Sequence, residues 1–214
     1  QKQSLPKALL NAGADIEVLN HVRRRLSKLK GGGMLRAAGA GTIVSLILSD
    51  VVGDPLDLIA SGPTVPPNET IDVPTTLQHL GLWDTLPERV KEHLATPQVL
   101  AGTSGDMQRG SASGCTYHNL LVATNRDCLE ACRKGAESRG LTAEIVTDRL
   151  VGEAHVVGAR LAKELTSMVQ EGAHSRCRLY GGETVVKVRG SGKGGRSQEL
   201  AVAAAQILDG TPGA

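Results

Sequence analysis

With 214 residues, 40% of them hydrophobic, the chain is long enough for one or two globular domains. A formal net charge of +2 argues neither for nor against nucleic acid, and no interleaving of aromatic and basic residues suggests stacked bases. No apolar run approaches membrane-span length and none reads as a secretory leader, so neither nucleic acid nor a membrane is an expected partner.

Trp83, Tyr117 and Tyr180 are the aromatic residues and there is no Phe, so the core must be built from Leu, Val, Ile and Ala. Asp15 reads as a helix N-cap, after which Ile16, Leu19, Val22, Leu26 and Leu29 fall on one helical face. The other face carries Arg23, Arg24, Lys28 and Lys30, which could meet an acidic ligand but read more simply as a solvated face. Gly31, Gly32 and Gly33 stop the helix, and a short Ala-rich turn follows. Residues 42–49, TIVSLILS, are apolar without alternation, which predicts a strand covered on both faces, as in a parallel sheet. The loop at 50–67, DVVGDPLDLIASGPTVPP, carries Asp50, Asp54 and Asp57, then Ser61, Gly62, Pro63 and Thr64. Acids just past the carboxyl end of a buried strand stand where open α/β sheets bind ligands. Asp50 could orient a hydroxyl or hold a metal, whereas Asp54 and Asp57 also suit turns and helix caps.

Residues 71–101 are polar and punctuated by Pro, with short helices predicted at 75–80 and 86–95, and read as an insert or lid-like connection. His79 and His93 within it read as surface residues. Residues 102–114, GTSGDMQRGSASG, are loop by composition and mark the expected domain boundary. Strands predicted at 117–123, 142–147 and 176–180 then alternate with helices at 126–139 and 152–170, the pattern of a three-layer α/β arrangement. Cys128 and Cys132 share one face of the first of these helices. Zinc is conceivable there, but with no C-x-x-C pair among Cys115, Cys128, Cys132 and Cys177 the better reading is buried thiols in a reducing compartment. His155 and His174 show no ligand spacing.

Residues 181–200 read GGETVVKVRGSGKGGRSQEL, with a strand predicted at 184–188 and a helix at 197–208. Between them stand Gly190, Ser191, Gly192, Lys193, Gly194 and Gly195. A glycine-rich turn between strand and helix aims bare N–H groups at one point, beside the positive end of a helix dipole, which suits phosphate. Lys193 and Arg196 add two cations, while Glu183 and Glu199 flank the turn. Gly190, Gly192 and Gly195 also match the G-x-G-x-x-G dinucleotide pattern, but Asp209 follows closer than a ribose-binding acid should. A Walker A loop is excluded, because Lys193 is not followed by Ser or Thr. The alternative for the whole stretch is a flexible turn with no ligand.

SLILSDVVGDPLDLIASGPT at 45–64 and GGETVVKVRGSGKGGRSQELA at 181–201 resemble the glycerate kinases of the MOFRL-containing class, found in animals and many prokaryotes. NHVRRRLSKLKGG at 20–32 and VATNRDCLEAC at 122–132 are similar to further segments of that family, so the resemblance spans nearly the whole chain. It implies a fold class of α/β: two three-layer α/β domains with a cleft between them, each incomplete or partly complete in this chain. Residues 1–114 would be part of the N-terminal Rossmann-like domain and residues 115–214 a truncated MOFRL-like C-terminal domain. The implied activity is phosphorylation of D-glycerate to 2-phosphoglycerate with ATP and Mg²⁺, in the cytoplasm or the mitochondrion, with a homodimer as an open assembly. Position by position, Asp50 and Asp54 match the acids of the family's SDV-x-GD motif. Glu183 matches the acid of GGET, and Arg196 and Gln198 match the Arg and Gln of GGRNQE. Ser197 stands where the family has Asn, and Val185 where it has Thr. The family's lysine segment and SGGGSA loop would lie upstream of Gln1, and its GTDG-x-DGP segment downstream of Ala214, so the chain is expected to be the middle of such a kinase and inactive alone.

Phosphoryl transfer asks a protein mainly for positioning and charge neutralisation. Asp50 is expected to accept the glycerate hydroxyl proton or to hold Mg²⁺. Arg196 is expected to face the phosphoryl oxygens or the glycerate carboxylate. Residues Gly190 to Gly195, with Ser197 and Gln198, would hold phosphates, and Asp54, Ser61, Gly62 and Glu183 would complete substrate or nucleotide binding. Two rivals stay open: a nicotinamide-dependent hydroxypyruvate reductase, from the glycine pattern, and a non-catalytic fragment that binds nucleotide.

Overall fold

The structure, a computed structural model, describes residues 4–14, 16–67, 71–97, 100, 102–170, 175–187 and 192–211. The fold is mixed α/β. The chain divides into two compact units, one of Gln1–Ser49 and Asp54–Val122, the other of Asp50–Gly53 and Ala123–Ala214.

The first unit holds helices α1 (Ser4–Asn11), α2 (Ile16–Arg25), α3 (Gly33–Ala38), α4 (Val73–His79) and α5 (Glu88–Ala95). Its strands are β1 (Gly41–Ser49), β2 (Ser104–Gly105), β3 (Arg109–Ala112) and β4 (Cys115–Thr124), in the sheet order β1-β4-β3-β2. Leu5, Leu9, Leu19, Val22, Val73, Leu77 and Leu94 pack α1, α2, α4 and α5 into one apolar cluster. The stretch expected as a lid is therefore part of a core, because Val73 and Leu77, one turn apart on α4, and Leu94 on α5 find partners on α1 and α2. Arg25 is buried and donates from Nη2 to the Leu94 carbonyl at 2.7 Å and to the Thr96 carbonyl, closing the carboxyl end of α5. His93 is no bare surface residue either, for its Nε2 lies 2.7 Å from the Arg25 carbonyl.

Helix α2 stops at Arg25 instead of running to Leu29, which is 54% exposed. The Ser27 hydroxyl takes the amides of Leu29 and Lys30, each at 3.3 Å, and that local bond competes with a further helical turn. Asp15, the expected cap, lies outside the described residues. Nor is the basic face simply solvated, since Arg24 pairs with Asp57 at 3.6 Å and Lys30 donates to the Ser61 hydroxyl at 3.2 Å. The expected Ala-rich turn is helix α3.

Strand β1 forms where expected, but the expectation of two covered faces is overturned. Ile43, Ser45 and Ile47 are half-buried and Ser49 is buried, whereas Val44, Leu46 and Leu48 on the other face are 56%, 69% and 71% exposed. No described element covers that outer face. The inner face meets a second cluster of Leu35, Leu100, Ala112, Cys115 and Tyr117, and a polar chain runs beside it. Ser45 donates to the Thr64 hydroxyl at 2.9 Å, Thr64 to Asn119 Oδ1 at 2.6 Å, and Asn119 to the Thr64 and Met107 carbonyls at 3.0 and 2.7 Å. Residues 102–114 are not simply loop. They carry β2 and β3, paired antiparallel with each other, and β3 pairs antiparallel with β4 in turn, while buried Tyr117 donates to the Asp106 carbonyl at 2.6 Å.

The second unit holds α6 (Asn125–Glu137), β5 (Thr142–Leu150), α7 (Ala154–Gln170), β6 (Arg176–Gly182) and α8 (Arg196–Leu208). Thr124 and Asp127 form a capping box that starts α6. Strands β5 and β6 pair in parallel from Thr142–Arg176 to Leu150–Gly182, with α7 as the crossover. Of the strand expected at 184–188, the described residues 184–187 form none: Val185 makes an isolated parallel bridge with Glu153, and Val188 lies outside the described residues. Gly182, at φ 138, turns the chain at the end of β6. Beyond it the amides of Glu183 and Val185 still reach the Leu150 and Gly152 carbonyls, at 2.8 and 2.9 Å. Among the described residues no helix is long and apolar enough to cross a membrane.

Candidate functional site

A pocket of about 310 Å³ opens in the second unit, lined by Asp50, Leu150, Gly182, Glu183, Thr184, Arg196, Ser197 and Leu200. Leu150 and Gly182 are the last residues of two parallel strands, and Arg196 and Ser197 begin a helix. Carboxyl ends of parallel strands and a helix amino end are the two features that give open α/β sheets their ligand sites. The glycines before Glu183 have packing reasons. A Cβ on Gly182 would overlap the Leu150 backbone, and one on Gly181 would meet the Asn125 amide and approach Leu129 Cδ1 to 2.8 Å. Asn125 is itself held, donating to the Asp148 carbonyl at 3.0 Å.

Gly195, the N-cap of α8, has no side chain to satisfy the first amides of the helix, so those donors and the dipole end are left to solvent or an anion. The Arg196 guanidinium donates to the Glu183 carboxylate. Their side chains are 50% and 61% exposed, so the pair adds at most about 1 kcal/mol and can be exchanged for a ligand at little cost. The pocket therefore presents one guanidinium, uncapped amides, and the carboxylates of Asp50 and Glu183.

Of the residues expected at a site, Asp50, Glu183, Arg196 and Ser197 meet in this pocket. Gly192, Lys193, Gly194 and Gly195 lead into α8, all exposed, and Gln198 follows on its first turn. Gly190 and Ser191 lie outside the described residues. Asp54, Ser61 and Gly62 belong to the first unit and do not line the pocket. They sit in a loop with an unusual backbone, where Asp54, Ala60 and Ser61 have φ of 54°, 51° and 65° and Gly62 has 58°. Left-handed backbone costs a non-glycine residue about 1 kcal/mol or more. The loop is held by residues 31–34: the amides of Gly31, Gly32 and Met34 donate to the carbonyls of Ser61, Gly62 and Pro63 at 2.9, 2.8 and 3.1 Å. A Cβ on Gly32 would approach Leu100 Cδ1 to 2.8 Å and the Val65 carbonyl oxygen to 3.0 Å, so this glycine seats a loop as well as ending a helix.

Thr184, buried at the floor, and Leu150 and Leu200 are lining residues that the sequence did not single out. Thr184 closes the GGET motif, whereas Leu150 carries no motif of its own and joins the site only through the register of β5 against β6. Among the described residues no group of three or more His, Cys, Asp or Glu is placed to hold a metal ion. One carboxylate is enough for Mg²⁺ when substrate phosphates supply further oxygens, and Asp50 fits that part.

A domain of unknown function, DUF4147, matches residues 1–95, and the MOFRL family matches residues 176–214. The chain is 36% identical to the glycerate kinase of Bos taurus, over 94% of its own length and 45% of the relative's. It is 38% identical to the D-glycerate 2-kinase of Thermotoga maritima, over 99% of its length and 48% of the relative's. The crystal structure of glycerate kinase from Thermotoga maritima superposes with a TM-score of 0.73 at 32% identity, covering 99% of this chain and 49% of that one. The chain thus spans about half the length of these relatives. Across nearly its whole length it is similar to the glycerate kinases, and its residues 176–214 match the MOFRL family.

Proposed function

We propose that this chain forms the phosphate-facing part of a glycerate kinase site, for ATP-dependent phosphorylation of D-glycerate to 2-phosphoglycerate. The observation that carries the reading is one pocket holding Arg196, the uncapped first turn of α8, and the carboxylates of Asp50 and Glu183. The names of the relatives supply the reaction. In that reaction the glycerate 2-oxygen bonds to the γ-phosphorus, the bond from that phosphorus to the ADP oxygen breaks, and the hydroxyl proton leaves. Asp50 accepts the proton. Arg196 leaves Glu183 to stabilise charge on the transferred oxygens, and Glu183 keeps the guanidinium aimed until the ligand arrives. The amides at the start of α8, with Gly190 to Gly195, Lys193, Ser197 and Gln198, hold the phosphates. Mg²⁺, when bound, would neutralise charge across them; the alternative role for Asp50 is to hold that ion instead of taking the proton.

Asp54, Ser61 and Gly62 belong to the proposal as substrate-binding residues, supported by the left-handed loop that holds them. The two units support two α/β domains, the second of them MOFRL-like. Four free cysteines favour a reducing compartment, the cytoplasm or the mitochondrion. Association of two copies is also proposed, on the apolar outer face of β1, and sedimentation equilibrium reads it.

The test is D-glycerate with Mg-ATP, measuring 2-phosphoglycerate directly, beside hydroxypyruvate with NADH. Phosphoglycerate that depends on Arg196 supports the kinase reading. Oxidation of NADH without phosphoglycerate sinks it, and ATP binding without turnover reduces the chain to a nucleotide-binding piece.

A further inference from the structure

Helices α7 and α8 meet where no side chain separates them. Gly158 of α7 is buried, and a Cβ on it would overlap the Leu200 carbonyl oxygen and stand 3.0 and 3.1 Å from the Leu200 carbonyl carbon and Cα. All three atoms are backbone, so no rotamer change relieves the clash. Leu200 lines the pocket and lies one helical turn beyond Arg196. Beside this crossing, His155 Nδ1 stands 3.4 Å from Glu199 Oε1 and 3.7 Å from Glu153 Oε2, and Lys187 Nζ stands 2.8 Å from Glu153 Oε1. Glu153 also bridges Val185, just past Glu183 and Thr184. The first turn of α8 is thus fixed against the backbone of α7 and, through His155, against the segment that carries Glu183.

We propose that Gly158 is a positioning residue of the pocket, with His155 as its accessory. Gly158 sets how near α8 comes to α7, and so where the Arg196 guanidinium stands against Glu183. The inference rests on the reading of Arg196 as the ligand-facing cation, and names what places it. Packing alone makes a different prediction, in which a change at Gly158 lowers stability and leaves the Arg196 geometry as it was.

The experiment uses the 214-residue chain with ¹⁵N-labelled arginine. The ligand-free Arg196 side-chain signals report the pairing with Glu183, and Glu183→Gln supplies the released reference. In Gly158→Ala these signals are expected to move to the released positions, while amide signals of α6 and β5 stay in place. Lys163→Gly, at an exposed site of α7, weakens the helix without changing the Gly158 contact and should leave Arg196 unmoved. Titration with ATP then measures the consequence. Gly158→Ala should bind ATP about tenfold more weakly or worse, and that loss should vanish when Arg196→Ala is already present, since both act through one group. A folded Gly158→Ala protein with wild-type Arg196 signals, or an equal loss of affinity with and without Arg196, overturns the proposal. Should Gly158→Ala not fold, His155→Gln decides, because it removes the exposed flanking pair with no clash: moved Arg196 signals support the positioning and unmoved ones reject it. A wild-type chain that binds no ATP defeats the functional reading alone, since the ligand-free arginine signals still decide the positioning.

Discussion

Arg196 carries most of the chemistry proposed and little of the fold. It opens α8, half-exposed, with its guanidinium on a still more exposed carboxylate. Arg196→Ala should therefore leave the denaturation midpoint nearly unchanged. A cation acting on a transferring phosphoryl group is worth about 10³-fold in rate or more, and turnover in the proposed kinase reaction should fall by that order. Arg196→Lys should recover only part, because a point charge lacks the planar fork. A kcat within a few-fold of wild type for Arg196→Ala would remove Arg196 from the mechanism. Arg25 has the opposite profile. It is buried, and its bonds to the Leu94 and Thr96 carbonyls close α5 against α2. Arg25→Ala should destabilise the first unit by about 1–3 kcal/mol, the cost of orphaned buried carbonyls, read as a lower urea midpoint. An unchanged midpoint would mean that water replaces the guanidinium.

Helix α8 was legible in the sequence because its start and its apolar spacing agree, with Gly195 before it and Leu200, Ala204 and Ile207 along it. Strand β1 was legible in place and not in burial. An unbroken apolar run states that both faces can be covered, but the covering layer is set elsewhere, and Leu46 and Leu48 stand exposed. The β2–β3 hairpin was missed because Ser104, Gly105, Gly110 and Ser111 have low strand propensity, and the ladder to β4 overrides it. In the site, Arg196 and Glu183 were legible by motif, whereas His155 against Glu199 could be seen only after Gly158 let two helices touch. The tie between α7 and β6 is also tertiary. The Tyr180 hydroxyl donates to Glu164 and holds that carboxyl below the usual range, with Arg160 and Arg178 adding to the effect and burial opposing it. A carboxylate with a depressed native pKa adds stability above its unfolded value, about 4.3, and the gain is lost as pH falls through the native value. Tyr180→Phe should bring the Glu164 pKa up. The variant should be less stable than wild type at pH 7, with a difference that shrinks below about pH 4. Urea midpoints at both pH values read this, and a constant difference would assign the loss to packing alone.

At the scale of the whole molecule, the residues that could meet a phosphate are gathered in one unit. Asp50, Glu183, Thr184, Arg196 and Ser197 all belong to the second, together with both strands whose carboxyl ends form the pocket. The first unit has its own apolar clusters and contributes, in the proposal, the loop with Asp54, Ser61 and Gly62. A ligand that binds only the folded state stabilises it by about 2.7 kcal/mol at a hundredfold excess over Kd. For ATP that stabilisation should register first where its contacts lie. Hydrogen exchange is expected to slow at the amides of Glu183, Val185 and the first turn of α8, and through α8 into α7. The α1, α2, α4 and α5 cluster should exchange at its ligand-free rate. Adding D-glycerate should then slow exchange at residues 54–67, since the proposal gives that loop to the substrate. Protection by ATP confined to the first unit would put the nucleotide elsewhere and end the reading of α8 as its phosphate site. Protection of residues 54–67 by ATP alone would reassign Ser61 and Gly62 from glycerate to nucleotide.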